Sequence, residues 1–67
     1  MKLTNAIKKL EKAGYEITTN GNLYTAYNEG HEIIFCAFND EAKRFSSGTP
    51  SLGVCTYGLT LKKAMNA

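Results

Sequence analysis

The side chains of this chain that could carry out chemistry are few, and their spacing matches no catalytic or metal-binding motif. His31 is the single histidine and directly follows a Glu-Gly turn, while Cys36 and Cys55 lack the Cys-x-x-Cys spacing of redox and zinc motifs. Two thiols and one imidazole also fall one ligand short of a four-coordinate zinc site. We therefore predict a solvated turn residue at His31, a sheet residue at Cys36 and a small apolar loop residue at Cys55, with no metal and no cofactor.

The serines give no stronger indication of catalysis. Three of them cluster in the segment 46–59, but no strand-turn-helix elbow and no paired base surround them. The same segment contains the run Gly-Thr-Pro-Ser-Leu-Gly, which lacks the lysine of a phosphate-binding loop. We predict that the chain is not an enzyme, and a reaction that uses His31 or Cys55 is the least favoured of three functional hypotheses.

Two helices are expected at the ends of the chain. Apolar residues recur at three- and four-residue spacing between Leu3 and Ala13, which predicts an amphipathic helix. Gly14 is suited to end this helix, with Tyr15 following as the apolar residue of a Schellman motif. Thr60 is expected to cap a short second helix.

Three turn signals at nearly equal spacing divide the middle of the chain: Asn20-Gly21, Glu29-Gly30 and Asn39-Asp40. Strands are expected between them, at residues 15–19, 22–28, 31–38 and 42–47. The sequence therefore predicts one α+β domain over residues 1–67, a four-stranded antiparallel β-meander flanked by an N-terminal helix and a short C-terminal helix. The segment 46–59 is expected to be a functional loop or a cover, in which only residues 54–57 could be extended.

Alternation along the strands assigns side chains to the two faces of this sheet. Pairing Ile17 with Tyr24 and Ala26 with Ile33 gives one face for the helices. Its expected members are Tyr15, Ile17, Tyr24, Ala26, Ile33, Phe35 and Ala37. The opposite face should carry Leu23, Tyr27, Ile34 and Phe38, with Phe45 added if the third turn is tight, and Tyr57 in the loop at its edge. An apolar patch of this kind must be covered by the 46–59 segment, a second copy or another protein.

Lysine dominates the two expected helices, although the net charge of the chain is only +2. Their basic residues are Lys2, Lys8, Lys9, Lys12, Lys62 and Lys63, against a single acid, Glu11. Such a cluster can contact phosphates, which makes nucleic-acid binding through Lys8, Lys9, Lys12, Lys62 and Lys63 the alternative function. The solvated helix surface is favoured, because no arginine and no aromatic residue is interleaved with these lysines.

Membrane insertion and export are not expected. The longest apolar run, residues 33–38, is far shorter than the roughly 20 residues of a membrane-spanning helix. The first residues carry charge where a signal peptide would carry its apolar core. We expect a cytoplasmic protein whose cysteines are thiols.

The order of helix, antiparallel strands and helix, with Lys-Leu-Glu-Lys-Ala-Gly-Tyr at the end of the first helix, resembles the small HicA-type toxins and their double-stranded-RNA-binding-like fold. Those toxins carry a Gly-Ser-His catalytic motif in an early strand. This chain has Asn20-Gly21-Asn22-Leu23-Tyr24 there, so the resemblance implies no ribonuclease activity.

Residues 2–38 and 59–65 are similar to short phage and prophage accessory proteins. The similarity lies in the pattern Leu-Thr-x-Ala-Ile-Lys-Lys-Leu-Glu-Lys-Ala-Gly-Tyr, then Asn-Gly-x-x-Tyr-x-Ala, an Ile-x-Phe strand and a last helix like Leu-Lys-Lys-Ala-Met. Some proteins of this kind inhibit host or defence proteins, anti-CRISPR proteins among them. The resemblance implies a phage-like origin, and we expect a small binding module that occupies a surface of a host or defence protein or associates with itself as a homodimer.

Overall fold

A computed structural model describes residues 1–49 and 54–66 of the chain, and for residues 49 and 54–59 it describes the backbone alone. The elements in chain order are α1 Leu3–Lys12, β1 Glu16–Asn20, β2 Leu23–Asn28, β3 His31–Phe38, β4 Glu41–Thr49, β5 Val54–Leu59 and α2 Leu61–Asn66. The expected order of helix, four-stranded antiparallel meander and helix is confirmed, and β5 extends the sheet to the order β1-β2-β3-β4-β5. None of the helices described has the length and apolar character needed to cross a membrane.

The first helix ends as its sequence predicts. Gly14 has a φ of 94°, in the left-handed region that glycine adopts without a steric penalty. The Gly14 amide donates to the Glu11 carbonyl at 3.0 Å, and the Tyr15 amide donates to the Leu10 carbonyl at 2.9 Å. These two bonds form a Schellman motif, which turns the chain from α1 into the sheet.

The strand registers follow from tight turns. Between β1 and β2 the turn is Gly21-Asn22, one residue later than expected, so that Ile17 lies opposite Ala26 and not opposite Tyr24. This shift moves the pairing by two positions, and the face of each side chain is therefore unchanged. Ala26 lies opposite Ile33 as expected, and the third turn is tight, since Phe38 pairs with Glu41.

A β-bulge in β4 overturns one assignment of a residue to a face. Cys36 pairs with Lys43 but Ile34 pairs with Ser46, so β4 contains one more residue than the facing part of β3. Arg44, with a φ of 59°, absorbs the extra residue. Because the bulge reverses the alternation, Phe45 does not lie with Phe38: it faces the helices, is only 5% exposed, and its ring lies 5.0 Å from that of Phe35.

Both helices pack on the same face of the sheet, which we call the helix face. Its core contains Ala6 and Leu10 from α1 and Leu61 and Ala64 from α2. The strands contribute Ala26, Ile33, Phe35, Ala42 and Phe45, with Tyr15 from the segment before β1. Thr60 caps α2, since its Oγ1 accepts a hydrogen bond from the Lys63 amide at 3.3 Å.

Candidate functional site

The opposite side of the sheet, the outer face, presents large apolar side chains to solvent. Leu23 is 42% exposed, Tyr27 51% and Phe38 63%, while Ile34 is half-buried between them. β2 and β3 hold these residues in fixed register, because Leu23 lies opposite Cys36 and Thr25 opposite Ile34. Both helices belong to the core on the other side, so within residues 1–49 and 54–66 neither helix covers these side chains.

Charged residues surround this apolar strip on the same face. Glu32 is paired with Tyr27, Glu41 with Phe38 and Lys43 with Cys36. The N-terminal ammonium lies 3.0 Å from Glu41 Oε2 and, by this hydrogen bond, lowers the pKa of the Glu41 carboxyl below its ordinary value. An apolar centre with a charged margin is the usual composition of a protein-binding surface.

One residue predicted for this surface is not found there, and a second cannot be placed on either face because its side chain is outside the described part of the chain. Phe45 belongs to the helix face because of the bulge at Arg44. The side chain of Tyr57 lies outside the described part of the chain, although its backbone is part of β5. The sequence predicts a functional loop or a cover at 46–59, extended only at 54–57. Instead β4 continues to Thr49 and β5 pairs with it, so residues 54–59 widen the sheet. Residues 50–53 lie outside the described residues.

His31 is not the solvated turn residue that its neighbours predict. It begins β3 on the helix face, half-buried, with both ring nitrogens in hydrogen bonds. Nδ1 lies 2.7 Å from the Tyr15 hydroxyl and Nε2 lies 2.5 Å from Ser47 Oγ. In one neutral tautomer Tyr15 donates to the ring and the ring donates to Ser47; in the other, both donors and acceptors are exchanged.

This Tyr15–His31–Ser47 chain joins three segments that are distant in sequence. Ser47 is 1% exposed, so a substrate has no access to its hydroxyl. Burial also raises the pKa of Tyr15 above its ordinary value, because the phenolate would lose hydration. The arrangement therefore stabilises the junction of α1 and the sheet. The alternation of side chains along β3 could have indicated the position of His31, because it places His31 on the helix face together with Ile33 and Phe35.

The lysines predicted for nucleic-acid contacts are all exposed: Lys8, Lys9 and Lys12 on α1, Lys62 and Lys63 on α2. Because both helices lie on the helix face, these lysines together form the solvent-exposed layer on the helix side of the molecule. Cys36 is a half-buried free thiol in β3, as expected, and the side chain of Cys55 lies outside the described residues. Among the side chains that the structure describes, no group of three or more potential metal ligands comes together.

Protein-family models, curated proteins and solved structures were compared with the chain, and none of the three comparisons finds a match.

Proposed function

We propose that this chain is a protein-binding module that uses its outer face to occupy a surface of a partner protein. The observation that carries the proposal is the exposure of Leu23, Tyr27 and Phe38 on one face of a sheet. A small domain gains stability by burying such side chains, and three exposed together are typical of a surface that a partner covers. The proposal assigns no catalytic step to the chain, because the serine of the one histidine cluster is buried.

The outer face supports this role in its composition and in its rigidity. Tyr27 and Phe38 are aromatic side chains with few rotatable bonds, which lose little entropy when a partner fixes them. The neighbouring strands hold their backbone in place, so binding requires no folding of the segment that carries them. Glu32 and Lys43 place both signs of charge beside the apolar strip, which favours one orientation of the partner.

The partner class that we propose is a host or defence protein, met in the cytoplasm. It rests on the resemblance of residues 2–38 and 59–65 to phage accessory proteins. The nearest variant is a twofold homodimer, for which a single self-complementary patch is sufficient.

The test compares a variant of the outer face with a matched variant of the helices. Tyr27→Ser combined with Phe38→Ser should abolish a complex that the intact chain forms, measured by sedimentation with purified candidate partners and with the chain alone. Lys8→Ser combined with Lys63→Ser, also two exposed long side chains, should leave it unchanged. Equal binding by both double variants would refute the proposal. So would a loss of more than about 2 kcal/mol in the free energy of unfolding of the outer-face variant, because that value is typical of core residues.

Nucleic-acid binding is the second candidate, favoured by the exposure of all five predicted lysines in one layer. A labelled duplex titrated at two salt concentrations tests it. Phosphate contacts release counterions, so genuine binding must weaken as salt rises. Lack of salt-sensitive binding would exclude this candidate.

A further inference from the structure

An open groove of about 750 Å³ lies between the two helices, on the side of the molecule opposite to the outer face. Ala42 and Phe45 of β4 form its floor. Leu61 and Met65 of α2 form an apolar wall, and the end of α1 at Ala13 faces them. The groove exists because both helices pack onto β4 and α2 is only six residues long. Its volume lies in the range of small-molecule sites, roughly 300–1,000 Å³.

The charges around this groove have one sign. Lys9 and Lys12 contribute from α1 and Lys62 from α2, and no acidic side chain is among its lining residues in the described part of the chain. Lysine can place its aliphatic stem along an apolar wall while its ammonium stays in water. The groove therefore combines an apolar interior with a cationic opening.

We propose that this groove binds an anionic amphiphile, a small molecule with an apolar body and one carboxylate or phosphate group. The apolar body lies on Phe45 between Leu61 and Met65, where it displaces water from apolar surface. The anionic group lies among Lys9, Lys12 and Lys62. The inference is independent of the protein-binding proposal, because the two surfaces lie on opposite faces of the sheet.

Probes that differ only in their head group test the charge requirement. Calorimetric titration of the intact chain with dodecanoate and with dodecyl phosphate, below their micelle concentrations, should show saturable binding of one molecule. Dodecyltrimethylammonium should bind at least about tenfold more weakly, because it meets three like charges. Inorganic phosphate alone should bind no better than the cationic probe. Equal affinity for both signs of head group, or phosphate binding as tight as that of dodecyl phosphate, would overturn the proposal.

Two triple variants remove the same amount of charge from the chain, one inside the groove and one outside it. Lys9→Gln, Lys12→Gln and Lys62→Gln together should weaken dodecanoate binding about tenfold, from three exposed contacts of a few tenths of a kcal/mol each. Lys2→Gln, Lys8→Gln and Lys63→Gln, outside the groove, should weaken it less than about threefold, since only the long-range field changes. Met65→Gln should also weaken dodecanoate binding, because it puts a polar amide into the apolar wall of the groove. Equal losses in the two triple variants would show that net charge alone attracts the ligand and would refute the site.

Discussion

At the scale of single residues, the Tyr15–His31–Ser47 chain shows how far side-chain chemistry can be inferred from sequence. His31 stands beside a turn and two acids, which is typical of a solvated residue. Its real environment depends on Tyr15 and Ser47, each sixteen positions away. Strand parity predicts that Tyr15 and His31 share a face, but the bulge that brings Ser47 to this face is not visible in the composition of β4. The hydrogen bonds were therefore beyond sequence reasoning, although the face was not.

The first prediction concerns the hydroxyl of Tyr15. Tyr15→Phe should lower the free energy of unfolding by about 1–2 kcal/mol, because the half-buried His31 ring loses a hydrogen-bond partner. Urea unfolding at neutral pH measures it. The control is Tyr27→Phe, which removes an equivalent hydroxyl from the exposed outer face and should change the stability by less than about 0.5 kcal/mol. Equal effects of the two substitutions would contradict the role given to this cluster.

Alkaline pH gives a second prediction for the same residue. Burial raises the pKa of Tyr15 above its ordinary value of 10.0, so in the folded state the phenol keeps its proton at a pH where the unfolded chain has lost it. Below pH 10 both states are protonated and this residue adds no pH dependence. Above pH 10 the unfolded chain gains stability by losing the Tyr15 proton, so the free energy of unfolding should fall as pH rises. Urea unfolding between pH 9 and 11 should show a smaller fall for Tyr15→Phe than for the intact chain; identical slopes would contradict the shift.

At the scale of elements, the Schellman motif and the second and third turns could be predicted because each has a local cause, whereas the first turn lies one residue later than Asn20-Gly21 indicates. Gly14 marks the end of α1, and Glu29-Gly30 sets the register that brings Ala26 opposite Ile33. The bulge has no such mark: its left-handed residue is Arg44, where glycine would have been a recognisable signal. The fifth strand was also missed as a strand, because Gly53 and Gly58 flank a stretch only four residues long. Because the bulge could not be recognised, Phe45 was assigned to the wrong face, and the groove whose floor it forms could not be foreseen.

The bulge itself leads to a prediction. An arginine with a φ of 59° pays a steric cost that glycine avoids. Arg44→Gly should therefore raise the free energy of unfolding by up to about 1 kcal/mol, after the entropy that glycine loses in a strand is subtracted. Arg44→Ala removes the same exposed side chain but keeps the Cβ, and it should bring no gain. Chemical denaturation of both variants decides, and a gain of equal size in Arg44→Ala would place the effect in the side chain and not in the backbone.

At the scale of the whole molecule, charge is distributed unevenly although its sum is small. The helix side carries five exposed lysines, Lys8, Lys9, Lys12, Lys62 and Lys63, against Glu11, whereas Lys2 lies opposite Glu41 and the outer face also carries Glu32 and Lys43. The molecule measures 32 × 22 × 21 Å. The Debye length is about 30 Å at 10 mM salt and about 8 Å at 150 mM. At low salt, each lysine of the helix side therefore interacts with all the others.

This layer of lysines predicts how stability responds to salt. Raising NaCl from 10 to 150 mM should increase the free energy of unfolding by about 0.5–1 kcal/mol, because screening weakens a repulsion that the expanded unfolded chain largely lacks. Lys8→Gln combined with Lys63→Gln should reduce this increase by about half, since the remaining like-charge pairs are fewer. Lys43→Gln, which removes a lysine that interacts with Glu41 on the outer face, should leave it unchanged or enlarge it. A stability that is flat or falls with salt would mean that the five lysines do not repel one another appreciably, and the cationic opening of the groove would then have no electrostatic preference for an anion.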